Sequence, residues 1–151
     1  MNRAAGILLS VSSLPGRFGI GCFSRSACDF VDWLKEAGQT YWQILPLGPT
    51  SYGDSPYQSF STFAGNPYFI SLDELIEEGV LTEKECKSAD FGKKAHEIDY
   101  EKLYKKRYPL LRKAYERSKV SENPEYIRFV EEKRSWLSDY RLFMAVKGRC
   151  V

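Results

Sequence analysis

Hydrophobic and polar positions divide this chain into a front part that reads as strand, helix and strand, and a remainder that reads as helix. Ala4 to Val11 (AAGILLSV) is a continuous apolar run, which predicts a strand buried on both faces. Tyr41 to Leu45 predicts a second one. Between them Ala27, Phe30, Val31, Leu34 and Ala37 recur at helical spacing, a stripe that would face the sheet. Ser26 is the expected N-cap with Asp29 as its capping-box partner, and Gly38 the left-handed stop. Strand, helix and strand within about forty residues make a βαβ unit, with parallel pairing and a right-handed crossover.

Downstream the period is helical. Ser71 caps a short helix through Glu78, closed by Gly79, and Thr82 with Glu85 forms a capping box. Asp99 precedes a long segment to about Ser118, which Pro109 is expected to kink or split. Asn123-Pro124 is an N-cap and first-turn pair. The aromatics of Trp136 to Gly148 are too dense for a solvated helix and predict helix–helix packing. Two parallel strands alone leave edges unpaired and apolar faces uncovered. The pattern therefore reads as the front end of a larger α/β fold. Residues 1–78 form the βαβ part with a long loop at 46–66, and residues 79–151 a helical subdomain.

Two loops break this regularity. Ser12 to Phe23 (SSLPGRFGIGCF) leaves the first strand, and Pro46 to Asn66 leaves the second. The second is too long for a simple connection, which points to function. It and its exit carry Tyr52, Tyr57, Phe60, Phe63 and Tyr68 among hydroxyls, amides and one carboxylate, Asp54. Flat rings beside short polar groups suit a sugar, whose C–H faces stack while its hydroxyls find directional partners. The same composition suits a structural loop that packs its rings on its own scaffold, and composition leaves both open. In α/β folds the loops leaving the C-terminal ends of parallel strands build the site, so these two are expected side by side over one mouth.

Charge narrows the alternatives. Twenty-two basic residues balance twenty acidic ones, so no strong field suggests nucleic acid or an anionic membrane as partner. Lys105-Lys106-Arg107 reads as a solvated helix face. No run approaches the ~18 apolar residues of a membrane span, and the N-terminus lacks a signal-peptide layout. Cys22, Cys28, Cys86 and Cys150 form no CxxC pair, which predicts free thiols and a cytoplasmic protein. His96 is the single histidine, expected on an exposed loop; it supports neither a metal site nor a Ser-His-Asp triad.

Three stretches carry a resemblance. GILLSVSSLPGRFGIG, then FVDWLKEAGQTYWQILPLGPTSYGDSPYQSFSTFAGNPYFISLDEL, and more loosely WLSDYRLFMAVK, closely resemble the N-terminal region of 4-α-glucanotransferases, the amylomaltases or disproportionating enzymes of glycoside hydrolase family 77. The resemblance implies a (β/α)₈ TIM barrel with inserted subdomains, of which this chain holds about two strands followed by a mainly helical inserted region. It implies α-1,4-glucan substrates (maltooligosaccharides, amylose, starch or glycogen) and transfer of glucan segments by retaining double displacement, without metal or organic cofactor. Such a reaction needs two carboxyl groups roughly 5 Å apart. The family's nucleophile, acid/base and third carboxylate lie on later barrel strands, so no residue here is assigned a catalytic role. The chain is expected to be an N-terminal fragment, inactive alone, with a non-catalytic α-glucan-binding fragment as the alternative.

The resemblance also assigns site residues. It places the ring and hydroxyl of Tyr57 against glucose at the donor side of the cleft, with Ser55 as a hydrogen-bond partner and Pro56 stiffening the loop between them. Asp54 either bonds sugar hydroxyls or braces the loop. Tyr52 matches a position of a second glucan-binding groove. Gln58, Ser59 and Asn66 are read as loop-bracing groups.

Overall fold

The computed structural model describes residues 3–51, 53–92 and 96–148. Strands β1 (Gly6–Leu8) and β2 (Tyr41–Gln43) pair in parallel, with Gly6 opposite Tyr41 and Leu8 opposite Gln43. Helix α1 (Arg25–Glu36) connects them, which is the expected βαβ order. Both strands are shorter than the apolar runs that predicted them, and they are not buried on both faces. Leu8 is 58% exposed and Tyr41 64%, because each strand pairs only with the other and nothing among the described residues covers their outer faces.

Helix α1 begins one residue before the predicted cap. Ser24, in extended backbone, occupies the N-cap position, and the Ser26 hydroxyl donates instead to the Pro15 carbonyl at 2.9 Å. Asp29 pairs with Arg25 at 2.9 Å rather than closing a capping box. Of the predicted stripe Ala27 and Leu34 are buried and Phe30 half-buried, whereas Val31 and Ala37 are exposed. A two-stranded sheet offers too narrow a surface to cover a five-residue stripe. Gly38 does take the left-handed conformation at φ 68°, ending the helix as its sequence predicts.

The remaining helices are α2 (Leu72–Glu77), α3 (Glu83–Ser88), α4 (Tyr100–Ser118), α5 (Pro124–Glu132) and α6 (Arg134–Lys147). Their caps follow the sequence. Ser71 Oγ accepts from Glu74 N at 3.2 Å, Thr82 and Glu85 form the reciprocal box, and Asn123 Oδ1 accepts from Glu125 N at 2.8 Å ahead of Pro124. Pro109 neither splits nor stops α4, which runs unbroken for 19 residues. The missing N–H removes one main-chain bond, while Leu103, Leu110 and Ala114 on the same helix are buried and hold it in place.

The chain forms two compact units, one ending at Ala114 and the other beginning at Tyr115. In the first, the main core joins Phe18 and Ile20 of the first loop to Tyr68, Leu72, Leu81, Cys86, Phe91, Leu103 and Leu110. A smaller cluster of Val11, Leu14 and Ala27 sits under the strands, flanked by Phe30, Trp42 and Leu47. Trp42 is half-buried there, packed edge-on against Phe30 at 5.0 Å between ring centroids. In the second unit α5 packs on α6, yet neither helix has a buried residue. Leu142 and Val146 remain more than half exposed. The basic run is not uniformly solvated either. Arg107 is 1% exposed, turned into the core of the first unit.

Candidate substrate cleft

The first loop leaves β1 through Leu9, whose N–H bonds the Gln43 carbonyl at 3.0 Å, and turns at once into a 3₁₀ segment at Val11–Ser13. Its return is pinned where Gly21 N donates to the Ser12 carbonyl at 3.0 Å. Gly21 is required there: a Cβ would overlap the Val11 carbonyl oxygen and lie 2.7 Å from Leu14 N. The second loop is closed at its base by Asn66 N donating to the Leu47 carbonyl at 2.8 Å. Within it Thr50 bridges Ser59, and Ser59 Oγ donates to the Ser61 carbonyl at 2.7 Å. Asn66 Oδ1 accepts from Tyr68 N at 3.0 Å, capping a 3₁₀ turn at Pro67–Phe69. The ends of the two loops are then joined by Phe23 N donating to the Phe69 carbonyl at 3.2 Å.

Between the loops lies a cavity of about 280 Å³. Ser10, just past β1, and Ser12, Ser13 and Ile20 of the first loop line it on one side; Leu45, just past β2, with Pro46, Thr50, Asp54, Pro56 and Asn66 of the second loop and Tyr68 beyond it line the other. Ile98 and Tyr100, at the start of α4, supply a third wall. The expectation that both loops share one mouth is met. The volume sits near the low end of the ~300–1,000 Å³ typical of small-molecule pockets, the scale of a sugar unit rather than a long chain. A second cavity of about 460 Å³ adjoins it, sharing Ser12, Ser13, Ile20 and Ile98 and opening toward His96. His96 is exposed, as expected.

Asp54 is the sole carboxylate among the residues lining the smaller cavity. It follows Gly53 at φ 91° and itself adopts φ 54°, so two successive left-handed residues reverse the loop. Aspartate tolerates that region better than most side chains, yet it remains a strained position of the kind that concentrates at functional sites. Partial burial pushes its carboxyl above the usual carboxylate range, and a hydrogen bond with the Thr50 side chain pulls the other way. Burial likewise raises Tyr68 and Tyr100, with the nearby Asp54 carboxylate adding to both.

The predicted site residues separate into groups. Asp54 and Pro56 line the cavity. Ser55 supports the turn, its Oγ accepting from Tyr57 N at 3.4 Å and its carbonyl from Gln58 N at 3.1 Å. Tyr57 is 73% exposed and lines neither of the two cavities described. Tyr52 lies outside the described residues. The sequence reading missed the hydroxyls of Ser10, Ser12 and Ser13, and it missed Tyr100 altogether. A serine cluster directly after a predicted strand was the available signal for the first three. Nothing local marks Tyr100, which reads as an ordinary helix-start residue. No group of three or more His, Cys, Asp or Glu that could hold a metal exists among the described residues.

A model of the 4-alpha-glucanotransferase family matches residues 9–150. The chain belongs to that family. It is 52% identical over 146 residues to the 4-alpha-glucanotransferase of Streptococcus pneumoniae, covering 96% of this chain and 29% of that protein. It is 49% identical over 150 residues to the enzyme of the same name from Thermus thermophilus, covering 97% and 29%. Among solved structures it superposes on the amylomaltase of Streptococcus agalactiae in complex with acarbose, with a TM-score of 0.88 and 43% identity over 98% of this chain. That match uses 30% of the amylomaltase chain. The chain thus spans about 29% of the length of the curated relatives it matches.

Proposed function

We propose that this chain supplies one wall of the substrate cleft of a 4-α-glucanotransferase, which transfers α-1,4-glucan segments between maltooligosaccharides or starch chains by retaining double displacement. In this reading β1, α1 and β2 open a (β/α)₈ barrel, and further strands would cover the exposed faces of Leu8 and Tyr41. Tyr57 stacks on a glucose ring at the rim. Pro56 stiffens that rim, Ser55 and Asp54 reach the hydroxyls, and Tyr52 serves a second glucan groove. The observation that carries the proposal is the shared cavity, built from both loops that leave the strand ends and lined by four hydroxyl-bearing side chains of Ser and Thr, one amide and one carboxylate. Membership of the family and the likeness to an amylomaltase holding acarbose support the same class of ligand. Among the described residues Cys22, Cys28 and Cys86 are free thiols, which supports a reducing, cytoplasmic location.

The cavity also bounds what the chain does alone. The smaller cavity holds one carboxylate, Asp54, which cannot serve as both attacking group and proton donor, and a retaining site needs two about 5 Å apart. In this reading the chain binds glucan without turning it over. The test is calorimetric titration of the chain with maltoheptaose, followed by mixing with the C-terminal seven-tenths of the S. pneumoniae relative and assay of glucose release from maltotriose. Binding alone and release only on mixing are the expected results. Release by the isolated chain, or neither binding nor release, would sink the proposal.

A further inference from the structure

The residue that holds the cavity together lies outside both loops. Arg107, on α4, is 1% exposed and 89 positions away from Phe18, yet its Nη1 donates to the Phe18 carbonyl at 3.3 Å. Its Nη2 donates to the Ile70 carbonyl at 2.6 Å. Phe18 lies between the cavity-lining Ser13 and Ile20 of the first loop, and Ile70 directly follows the cavity-lining Phe69 in the turn by which the second loop exits. Tyr100 is two helical turns before Arg107 on the same helix and forms the third wall. One guanidinium thus ties together the three segments that enclose the cavity.

Stability alone explains this placement poorly. Burying a cation is costly even when it is hydrogen-bonded, and apolar replacement of buried charges is often neutral or stabilising. Here Nε finds no acceptor among the described residues. Burial pulls the guanidinium below its ordinary pKa, and the neighbouring Cys22 thiol only offsets this. What the planar fork does supply is geometry: two donors in fixed relation, aimed at two main-chain carbonyls on different loops, which a lysine ammonium on a flexible stem cannot reproduce. We propose that Arg107 is a positioning residue that fixes the two loops in register against α4 and so sets the shape of the glucan cavity. The proposal rests on the glucan reading above for its ligand, though not for the brace itself.

The test is Arg107→Lys in the full chain, with Arg107→Ala assayed in the presence and absence of methylguanidinium at a non-denaturing concentration. Amide hydrogen exchange within residues 12–21 and 66–70 should accelerate about tenfold, the loss of one charged hydrogen bond, while α5 and α6 are unchanged. Maltoheptaose affinity per folded molecule, measured well below the melting temperature, should fall about tenfold, and methylguanidinium should restore it in Arg107→Ala. Unchanged exchange in either loop overturns the brace. Faster exchange with unaltered affinity reduces Arg107 to a merely structural residue and overturns the positioning role. Failure of the wild-type chain to bind maltoheptaose overturns the glucan reading instead, and the exchange measurement still decides whether Arg107 holds the loops.

Discussion

Trp42 donates its indole N–H to the main-chain carbonyl of Leu9 at 2.8 Å, so the second strand grips the first at the point where the first cavity loop begins. The bond spans 33 residues and sits beside the edge-on Phe30 ring. Trp42→Phe keeps most of the apolar surface and leaves the Leu9 carbonyl without this partner. It should cost about 1 kcal/mol, whereas Trp42→Ala should cost about 3 kcal/mol or more. Urea denaturation of both variants checks the ordering. Equal losses would show that the hydrogen bond alone fixes this junction, and no loss in Trp42→Phe that ring packing alone does.

Asp54 carries a pH dependence whose sign follows from its environment. Its folded-state pKa is raised by partial burial, so the proton binds the folded chain more tightly than the unfolded one. The resulting stabilisation is fully present below the unfolded pKa and is lost as pH rises through the folded one. Asp54→Asn removes that titration and keeps a side chain that tolerates the left-handed backbone. The stability of wild type relative to Asp54→Asn should therefore decline as pH rises above the ordinary aspartate pKa of about 4. Denaturation midpoints across that rise are the measurement, and parallel curves would mean that Asp54 titrates as a solvated carboxylate.

How far the fold was legible depends on how local its cause is. The caps at Ser71, Thr82 and Asn123 are contacts across two or three residues, and spacing alone reveals such contacts. The shift from Ser26 to Ser24 has a distant cause, because the Pro15 carbonyl captures the Ser26 hydroxyl. Arg107 is the extreme case. Its neighbours Lys105 and Lys106 are exposed, whereas Arg107 shares the buried face of α4 with Leu103 and Leu110 and finds its acceptors on carbonyls 89 and 37 residues away. The candidate site divides the same way. A strand followed by a polar aromatic loop marks Asp54 and Pro56, whereas Tyr100 joins them through the path of α4, which no short pattern encodes.

Pro109 offers a stabilising substitution. It is exposed, lies inside α4, and leaves the Lys105 carbonyl without its usual donor four residues on. Pro109→Ala restores that donor and should raise stability by about 1–3 kcal/mol, reduced by the ~0.4–1 kcal/mol that proline contributes through the unfolded chain. A higher denaturant midpoint with unchanged slope is the expected signature. A lower midpoint would mean that the proline ring, which lines an apolar groove with Ile70 and Tyr108, contributes more by packing than the helix loses.

Tyr57 and Tyr68 stand eleven residues apart in one aromatic stretch, and their surroundings assign them opposite roles. Tyr68 is 5% exposed and packs edge-on against Tyr108 at 5.8 Å and tilted against Tyr100 at 6.2 Å. Tyr68→Ala should cost about 3–5 kcal/mol, as removal of a buried aromatic does. Tyr57, 73% exposed, has little packing to lose, so Tyr57→Ala should stay within about 0.5 kcal/mol of wild type. Its effect belongs in ligand affinity, where loss of a stacked ring worth about 1.4 kcal/mol weakens maltoheptaose binding tenfold. Thermal melts and calorimetric titrations on the two variants separate the roles. If Tyr57→Ala bound maltoheptaose as tightly as wild type, the exposed ring would have no place in the sugar site, and the stacking role would fall to the cavity-lining Tyr100.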